Sequence, residues 1–292
     1  MIRYKKLGYI ALNVSDLQRS RAWYESMVGL QFNRIGVEGE VYLRADADHH
    51  SLVLFQSDRP GLKRVGWQLE DDAQIAVLTD TLDRHGIAWR ALGGDECDAI
   101  GMRHTIRMTE PITGTTLDFF GSGMKQMEVP FQPTVAKLHF LCHIGIGTPR
   151  YREAVELYEQ VLNFRTSDEI DGRINLMRCF PNPLHHSLAL AATPASMLHH
   201  FNLMVTGDED IVQARARFEA NSVPMVWDGH HPPSGNTFLF FRDPDGLPVE
   251  YGHGMELFPE VGARAHRVFS GKTETLSEHI PLANATVVRS QA

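Results

Sequence analysis

Two stretches of this chain read as copies of one another: residues 7–30 (LGYIALNVSDLQRSRAWYESMVGL) and residues 141–164 (LCHIGIGTPRYREAVELYEQVLNF). Each runs from an apolar strand through a capped helix to a Gly or Asn stop. Ser15 or Asp16 can cap the first helix, while Thr148, with Pro149 at the first helical position, caps the second. Trp23, Tyr24, Met27 and Val28 recur at helical spacing in one copy, as do Val155, Leu157, Tyr158, Val161 and Leu162 in the other. An internal repeat of this kind outranks any local reading, because it sets the number and kind of folding units.

The correspondence continues outward. Residues 65–69 (VGWQL) match 199–203 (HHFNL), and each precedes an amphipathic helix, over 73–85 and 209–220. Residues 114–121 (GTTLDFFG) match 246–252 (GLPVEYG). Between the copies, residues 124–135 (MKQMEVPFQPTV) carry two prolines and no periodicity, so they read as a linker. The expected organisation is an N-terminal module over 1–123, a linker over 124–135, a second module over 136–256 and a tail over 257–292 that wraps the surface or meets a neighbouring subunit. The expected fold class is α+β, with paired βαβββ modules forming half-barrels.

Overlaying the copies sets Tyr9 opposite His143, Gly66 opposite His200 and Asp118 opposite Glu250, at offsets of 134 (143 − 9), 134 (200 − 66) and 132 (250 − 118) residues. His143, His200 and Glu250 each lie in a short apolar run bounded by Gly, Pro or Asp, the signature of a half-buried strand. A curled sheet can point one side chain from each into a common cup. A lone histidine on a strand is usually a hydrogen-bonded core or edge residue. Two histidines and one carboxylate together are the donor set of non-haem Fe(II) sites with open positions. The same overlay leaves Tyr, Gly and Asp in the first copy, no plausible site for a first-row metal. One half is therefore read as scaffold and the other as the half that carries chemistry.

Composition narrows the classes. A formal net charge of −8 with dispersed basic residues leaves no stripe to neutralise phosphates, which argues against nucleic acid. The three cysteines, Cys97, Cys142 and Cys179, fit neither a disulfide framework nor a CxxC zinc site. No segment has the apolar length of a membrane span or a signal h-region, so a cytoplasmic address is expected by default.

Longer motifs, 186–190 (HSLAL), 198–205 (LHHFNLMV), 231–236 (HPPSGN) and 243–252 (DPDGLPVEYG), carry a resemblance. From Gly8 to about Pro259 the chain resembles the two-module extradiol ring-cleavage dioxygenases of the vicinal oxygen chelate superfamily. Through the HPPSG segment and the 254–259 ending (GMELFP) it is similar to the 2,3-dihydroxy-p-cumate 3,4-dioxygenase branch. The resemblance implies His143, His200 and Glu250 as ligands of Fe(II), with Mn(II) as the other metal this donor set suits. It implies His186 as the residue that hydrogen-bonds the bound oxygen and moves protons, and His231 as a second histidine near a substrate oxygen, tasks suited to imidazole because its ordinary pKa lies near working pH. The implied partners are a small aromatic diol and O2, in a homo-oligomer.

In the His185/His186, His199/His200 and His230/His231 pairs, strand alternation sends the two members to opposite faces, and the family spacing selects the second of each. The first members are then solvated or structurally bonded. Phe240, Phe201 and Phe238, with Trp227, Phe241 and Met225, are candidates for an aromatic pocket. Arg178 and Arg242 are the cations that could meet a substrate carboxylate, and both are expected at the surface. Phe240 departs from the family, which has a tyrosine ten positions before the glutamate ligand. That change bears on substrate choice; a trihydroxybenzene, for example, would supply its own polar contact. The rival functions are another metalloenzyme of the same superfamily, a glyoxalase-like lyase or isomerase, and a non-catalytic small-molecule binding member.

Overall fold

The computed structural model describes residues 1–271. The chain builds the same unit four times. In the first half these are β1 (Tyr4–Val14), α1 (Leu17–Trp23), β2 (Gln31–Ile35), β3 (Val41–Arg44) and β4 (Leu52–Gln56), then β5 (Gly61–Leu69), α2 (Ala73–Arg84), β6 (Trp89–Ala91), a short α3 (Gly94–Ala99), β7 (Thr105–Thr109) and β8 (Thr116–Phe120). The second half repeats the plan with β9 (Leu138–Thr148), α4 (Tyr151–Gln160), β10 (Phe164–Ile170), β11 (Ile174–Cys179), β12 (Leu188–Ala192), β13 (Met197–Val205), α5 (Asp208–Ala220), β14 (Met225–His230), β15 (Thr237–Arg242) and β16 (Pro248–His253). A last short strand, β17 (Arg267–Phe269), follows. The α+β class and the tandem βαβββ plan are thus as expected from the repeat.

Each half curls into one sheet, in the order β2-β3-β4-β1-β5-β8-β7-β6 and, for the second, β14-β15-β16-β13-β9-β12-β11-β10-β17. The two first strands of each half, β1 with β5 and β9 with β13, pair antiparallel at the centre. All remaining strands fan out from that seam, so side chains from β9, β13 and β16 face the concave side together.

Local chemistry fixes the helix starts. Asp16 caps α1 by accepting from the Arg19 N–H at 2.9 Å, and the helix passes into a single π turn that Gly29 ends at φ 82°. The second copy departs from expectation. Pro149 is not the first helical residue, because β9 stays paired to β12 as far as Thr148 opposite Ala192, and α4 begins only at Tyr151. Thr148 Oγ1 accepts instead from the Arg150 N–H, at 3.1 Å.

One continuous core joins the halves. Tyr4 of β1 lies 5.0 Å from Phe164, which also meets Trp67 at 4.9 Å and Tyr158 at 5.1 Å between ring centroids. On the other side, Trp23 approaches Phe241, and Tyr24 donates to Asp243 Oδ2 at 2.9 Å. The Tyr251 hydroxyl returns the contact to the Val28 carbonyl at 2.5 Å. The Asp243 turn is built by hairpin chemistry: Oδ1 accepts from the Asp245 and Leu247 N–H groups, and Gly246 sits at φ 81°. The described part of the tail joins the second sheet, with β17 parallel to β10; residues 272–292 of the expected tail lie outside the described residues.

Candidate metal centre and its cavity

Strand register places the three candidate ligands together. Asn202 of β13 is the partner of His143 on β9 and of Glu250 on β16, so those two flank β13 in one row. His200 lies two residues back on the same face of β13. His143 Nε2 stands 2.9 Å from His200 Nε2 and 3.0 Å from Glu250 Oε2, and His200 Nε2 is 3.4 Å from the same oxygen. All three residues are buried, yet neither carboxylate oxygen of Glu250 has a hydrogen-bond partner. Three donor atoms converging around an orphaned buried carboxylate fit a divalent cation, since an anion without partners in a protein interior is otherwise costly.

The electrostatics agree. Burial, with His199 next, pushes the His200 imidazole well below its ordinary value, so it is neutral with a lone pair to offer. Burial raises the Glu250 carboxyl, but His143 beside it more than reverses that, leaving it below the usual range and ionised. Room for the His200 ring comes from Gly145 directly across the seam: a Cβ there would sit 2.7 Å from the ring.

The other candidates arrange themselves around this centre. The His186 ring lies 4.2 Å from that of His143 on one side, while His231 Nε2 lies 3.8 Å from Glu250 Oε1 on another. Phe240 meets the His200 ring edge-on at 5.0 Å and stacks with Trp227, and both line the cavity. Phe238 lies behind, stacked on His231 at 3.8 Å, and so supports that ring rather than walling the space.

Several expectations are corrected. Phe201 does not line the cavity: alternation that points His200 and Asn202 inward sends Phe201 into the shared core, 6.4 Å from Tyr24. Phe241 and Met225 likewise pack on that core. His199 is not on the opposite face from His200. A register break between Leu198 and His200 bulges β13, and both rings line the cavity with Nδ1 atoms 2.7 Å apart. Arg178 is not at the surface; it is buried against the Phe258 ring at 4.4 Å. Neither Arg178 nor Arg242 reaches the cavity.

Reading the sequence missed the opposite wall, made by Ile170, Ile174, Leu176, Ala189 and Ala191 of β10 to β12. It also missed Asn202, fully buried with its amide unpartnered in the ligand row. The available signal was position: Asn202 is two residues beyond His200 on one strand, and so must share its face.

The first half shows what the same backbone does without this donor set. The Tyr9 ring fills the space over Gly66, where a Cβ would come within 2.1 Å of it, and its hydroxyl donates to Asp118 Oδ2 at 2.6 Å. Arg107, from the strand position matching Phe240, closes a bidentate pair on Asp118 at 2.7 Å to each oxygen. A phenol and a guanidinium thus satisfy the carboxylate. Among the described residues, the groups able to converge on a cation lie in the second half: His143, His200 and Glu250, and a separate cluster of Asp168, His185 and Glu256.

The chain is 28% identical over 263 residues to the biphenyl-2,3-diol 1,2-dioxygenase of Paraburkholderia xenovorans, covering 85% of this chain and 87% of that protein. It is 25% identical to the 3-methylcatechol 2,3-dioxygenase of Pseudomonas putida, over 86% and 90%. Among solved structures, a halotolerant catechol dioxygenase superposes with a TM-score of 0.85 at 22% identity, covering 92% of each chain. The Mn(II)-bound glyoxalase from Novosphingobium aromaticivorans does so at 0.83 and 18%, covering 95% of this chain and 91% of that one, so the fold alone does not separate the two chemistries. The profile of the Glyoxalase/Bleomycin resistance protein/Dioxygenase superfamily matches residues 6–111 and 141–251, three-quarters of the sequence laid over both repeats, and the chain belongs to that superfamily.

Proposed function

We propose that the protein is an Fe(II)-dependent extradiol dioxygenase that opens the ring of an uncharged substituted catechol or trihydroxybenzene beside its diol, consuming O2. The observation that carries this reading is the orphaned Glu250 carboxylate between His143 and His200, at the polar end of an otherwise apolar cavity. In this reading His143, His200 and Glu250 hold the metal, and the first half, whose matching positions are Tyr9, Gly66 and Asp118, serves as scaffold. Bound Fe(II) would supply a Lewis-acidic, redox-active centre with open positions where diol and O2 meet.

The chain's own residues do the rest. His231 stands on the Glu250 side of the centre, where it takes a proton from a diol hydroxyl. His186, neutral because burial and then His143 push its imidazole well down, stands on the His143 side and moves the second proton. Phe240 and Trp227 form one aromatic wall and the β10 to β12 aliphatics the other, a slot that orients a flat ring and excludes water. No Lys or Arg among the described residues lines this slot. A dihydroxycumate would bring a carboxylate with nothing to meet it, so the slot favours a neutral substituent over that branch's substrate. The likeness to a manganese glyoxalase motivates the rival lyase reading. Such enzymes generally spread four ligands over two modules, and the first half's matching positions offer none.

The test is anaerobic loading with Fe(II) or Mn(II), then O2 with catechol, 2,3-dihydroxybiphenyl, dihydroxycumate and trihydroxytoluene. Oxygen uptake matching a yellow ring-opened product is expected, least with dihydroxycumate. Metal bound without cleavage of any diol, or no metal bound at all, would overturn the assignment.

A further inference from the structure

The cluster of Asp168, His185 and Glu256 lies outside the ligand triad and is built with unusual completeness. His185 is fully buried; its Nε2 lies 2.8 Å from Asp168 Oδ2 and its Nδ1 lies 3.0 Å from His186 Nδ1. Asp168 is also fully buried. Its Oδ1 receives Arg264 Nη1 at 2.9 Å and the Arg267 backbone N–H and Nε at 3.0 Å each, while Arg264 Nη2 (3.0 Å) and Arg267 Nη2 (2.6 Å) reach Oδ2. Two guanidiniums on one carboxylate leave no place for a cation there. The cluster is a clamp, and what it clamps is the imidazole behind His186.

The geometry points to a positioning chain, Asp168 to His185 to His186, that fixes His186 in the tautomer with its proton on Nδ1 and its lone pair on Nε2. The logic is one of donors and acceptors. An ionised Asp168 only accepts, so His185 must donate from Nε2. A neutral His185 then offers a lone pair at Nδ1, and the 3.0 Å contact is satisfied only if His186 donates from its own Nδ1. Nε2 of His186 is left as the proton acceptor. Burial lowers the His185 pKa, which keeps that ring neutral. The chain rests on the proposed activity only in giving His186 a proton to receive.

The first half supplies an internal comparison. His49 and His50 repeat the contact, Nδ1 to Nδ1 at 3.0 Å, so adjacent histidines meet this way wherever this backbone occurs. The carboxylate does not recur. Asp168 pairs with Leu176 just after a register break in β10, and the matching residue, paired with Tyr42 just after the break in β2, is Arg34. Of these two matching pairs, the one with a carboxylate behind it is His185/His186, in the half that holds the candidate metal centre.

The experiment uses the full chain with 15N-labelled histidine, first metal-free, reading tautomers from long-range 1H–15N correlations and assigning His186 by the signals lost in His186→Gln. The wild type should show His186 protonated on Nδ1. In Asp168→Asn the amide oxygen keeps the three contacts made at the Oδ1 position, from Arg264 Nη1 and from the Arg267 backbone N–H and Nε, while the amide NH2 faces His185 and gives up the contacts from Arg264 Nη2 and Arg267 Nη2. Both tautomers should then reverse, as the reversed imidazole does in the serine-protease triad. Loaded with iron, that variant should lose about 100-fold in kcat with KM changed by less than about threefold and iron content unchanged. His185→Phe, which keeps the arginine clamp, should leave His186 as a mixture of tautomers. A wild-type His186 protonated on Nε2, or a tautomer unmoved by either substitution, would overturn the chain. Should the iron-loaded wild type cleave no diol, the proposed activity fails, while the metal-free spectra still decide the chain.

Discussion

At the scale of single residues, small side chains set the reach of large ones. Gly145 exists for His200: a methyl at that position would lie 2.7 Å from the imidazole. Gly145→Ala should therefore cost about 1–3 kcal/mol of stability from overpacking and swing His200 out of line. Iron affinity should fall by at least about 10-fold, read as iron retained on dialysis against a chelator beside the thermal midpoint. Wild-type iron retention would mean that the ring does not depend on this approach. Phe240 offers the opposite experiment. A tyrosine there, next to His200 and facing the cavity, would add a donor worth about 1.5–3 kcal/mol if its bond strengthens toward the transition state. Phe240→Tyr should raise kcat about 10- to 100-fold on catechols and less on trihydroxybenzenes, which carry their own hydroxyl at that end. An equal gain on every diol would argue against any special substrate. Of the two, only Phe240 could be picked from the sequence, by likeness to a motif; Gly145 needed the strand register, which no local pattern encodes.

At the scale of elements, the repeat was the most legible feature, because strand, cap and helix periodicities are local and recur. What stayed hidden were departures from regular period. The bulge before His200 turns His199 inward against alternation, and the extra pairs of β9 delay α4 past Pro149. The C-terminal segment was hidden for another reason: its sequence is polar and aperiodic, and it is ordered by what it binds. Glu256 accepts from the His185 N–H at 3.0 Å through its carbonyl and donates to the Ser234 carbonyl at 2.8 Å, so one residue ties the His186 and His231 loops together. Farther on, Arg264 and Arg267 close on Asp168. Burial raises the Asp168 carboxyl, and the hydrogen bonds from His185, Arg267 and Arg264 more than reverse this, holding it well below the usual range. A carboxyl depressed in the folded state stabilises above its unfolded pKa, about 3.9, and loses that contribution as pH falls through the folded value. The stability gap between wild type and Asp168→Asn, by denaturant unfolding, should therefore be flat from neutral pH to about pH 5 and shrink below about pH 4. A gap that persisted undiminished in acid would assign the cost to packing rather than charge.

At the scale of the whole molecule, the issue is why a half without the donor set is present at all. The first half carries Asp118 at the position that matches Glu250, but the Arg107 guanidinium balances its charge and the Tyr9 hydroxyl donates to it, so that half is closed chemically while remaining intact structurally. In the proposed reading its work is packing. Phe164 is covered by Tyr4 and Trp67, Phe241 by Trp23, and the Tyr251 hydroxyl, one residue beyond Glu250, is anchored to the Val28 carbonyl of the first half. Removing the first half would uncover these aromatic side chains, each worth about 1.5–3 kcal/mol on burial, and would free the strand that aims Glu250. The second half expressed alone, residues 136–292, should therefore fail to reach a cooperative fold, bind hydrophobic dyes, and retain no iron. Adding back the first half as a separate chain should restore both a sharp unfolding transition and iron binding, because contacts such as Tyr4 with Phe164, Trp23 with Phe241 and the Tyr4 backbone N–H with the Phe180 carbonyl join the halves directly rather than through the linker. If the lone second half unfolded cooperatively and held iron as the full chain does, the metal centre would be self-sufficient, and the first half would need a role other than support.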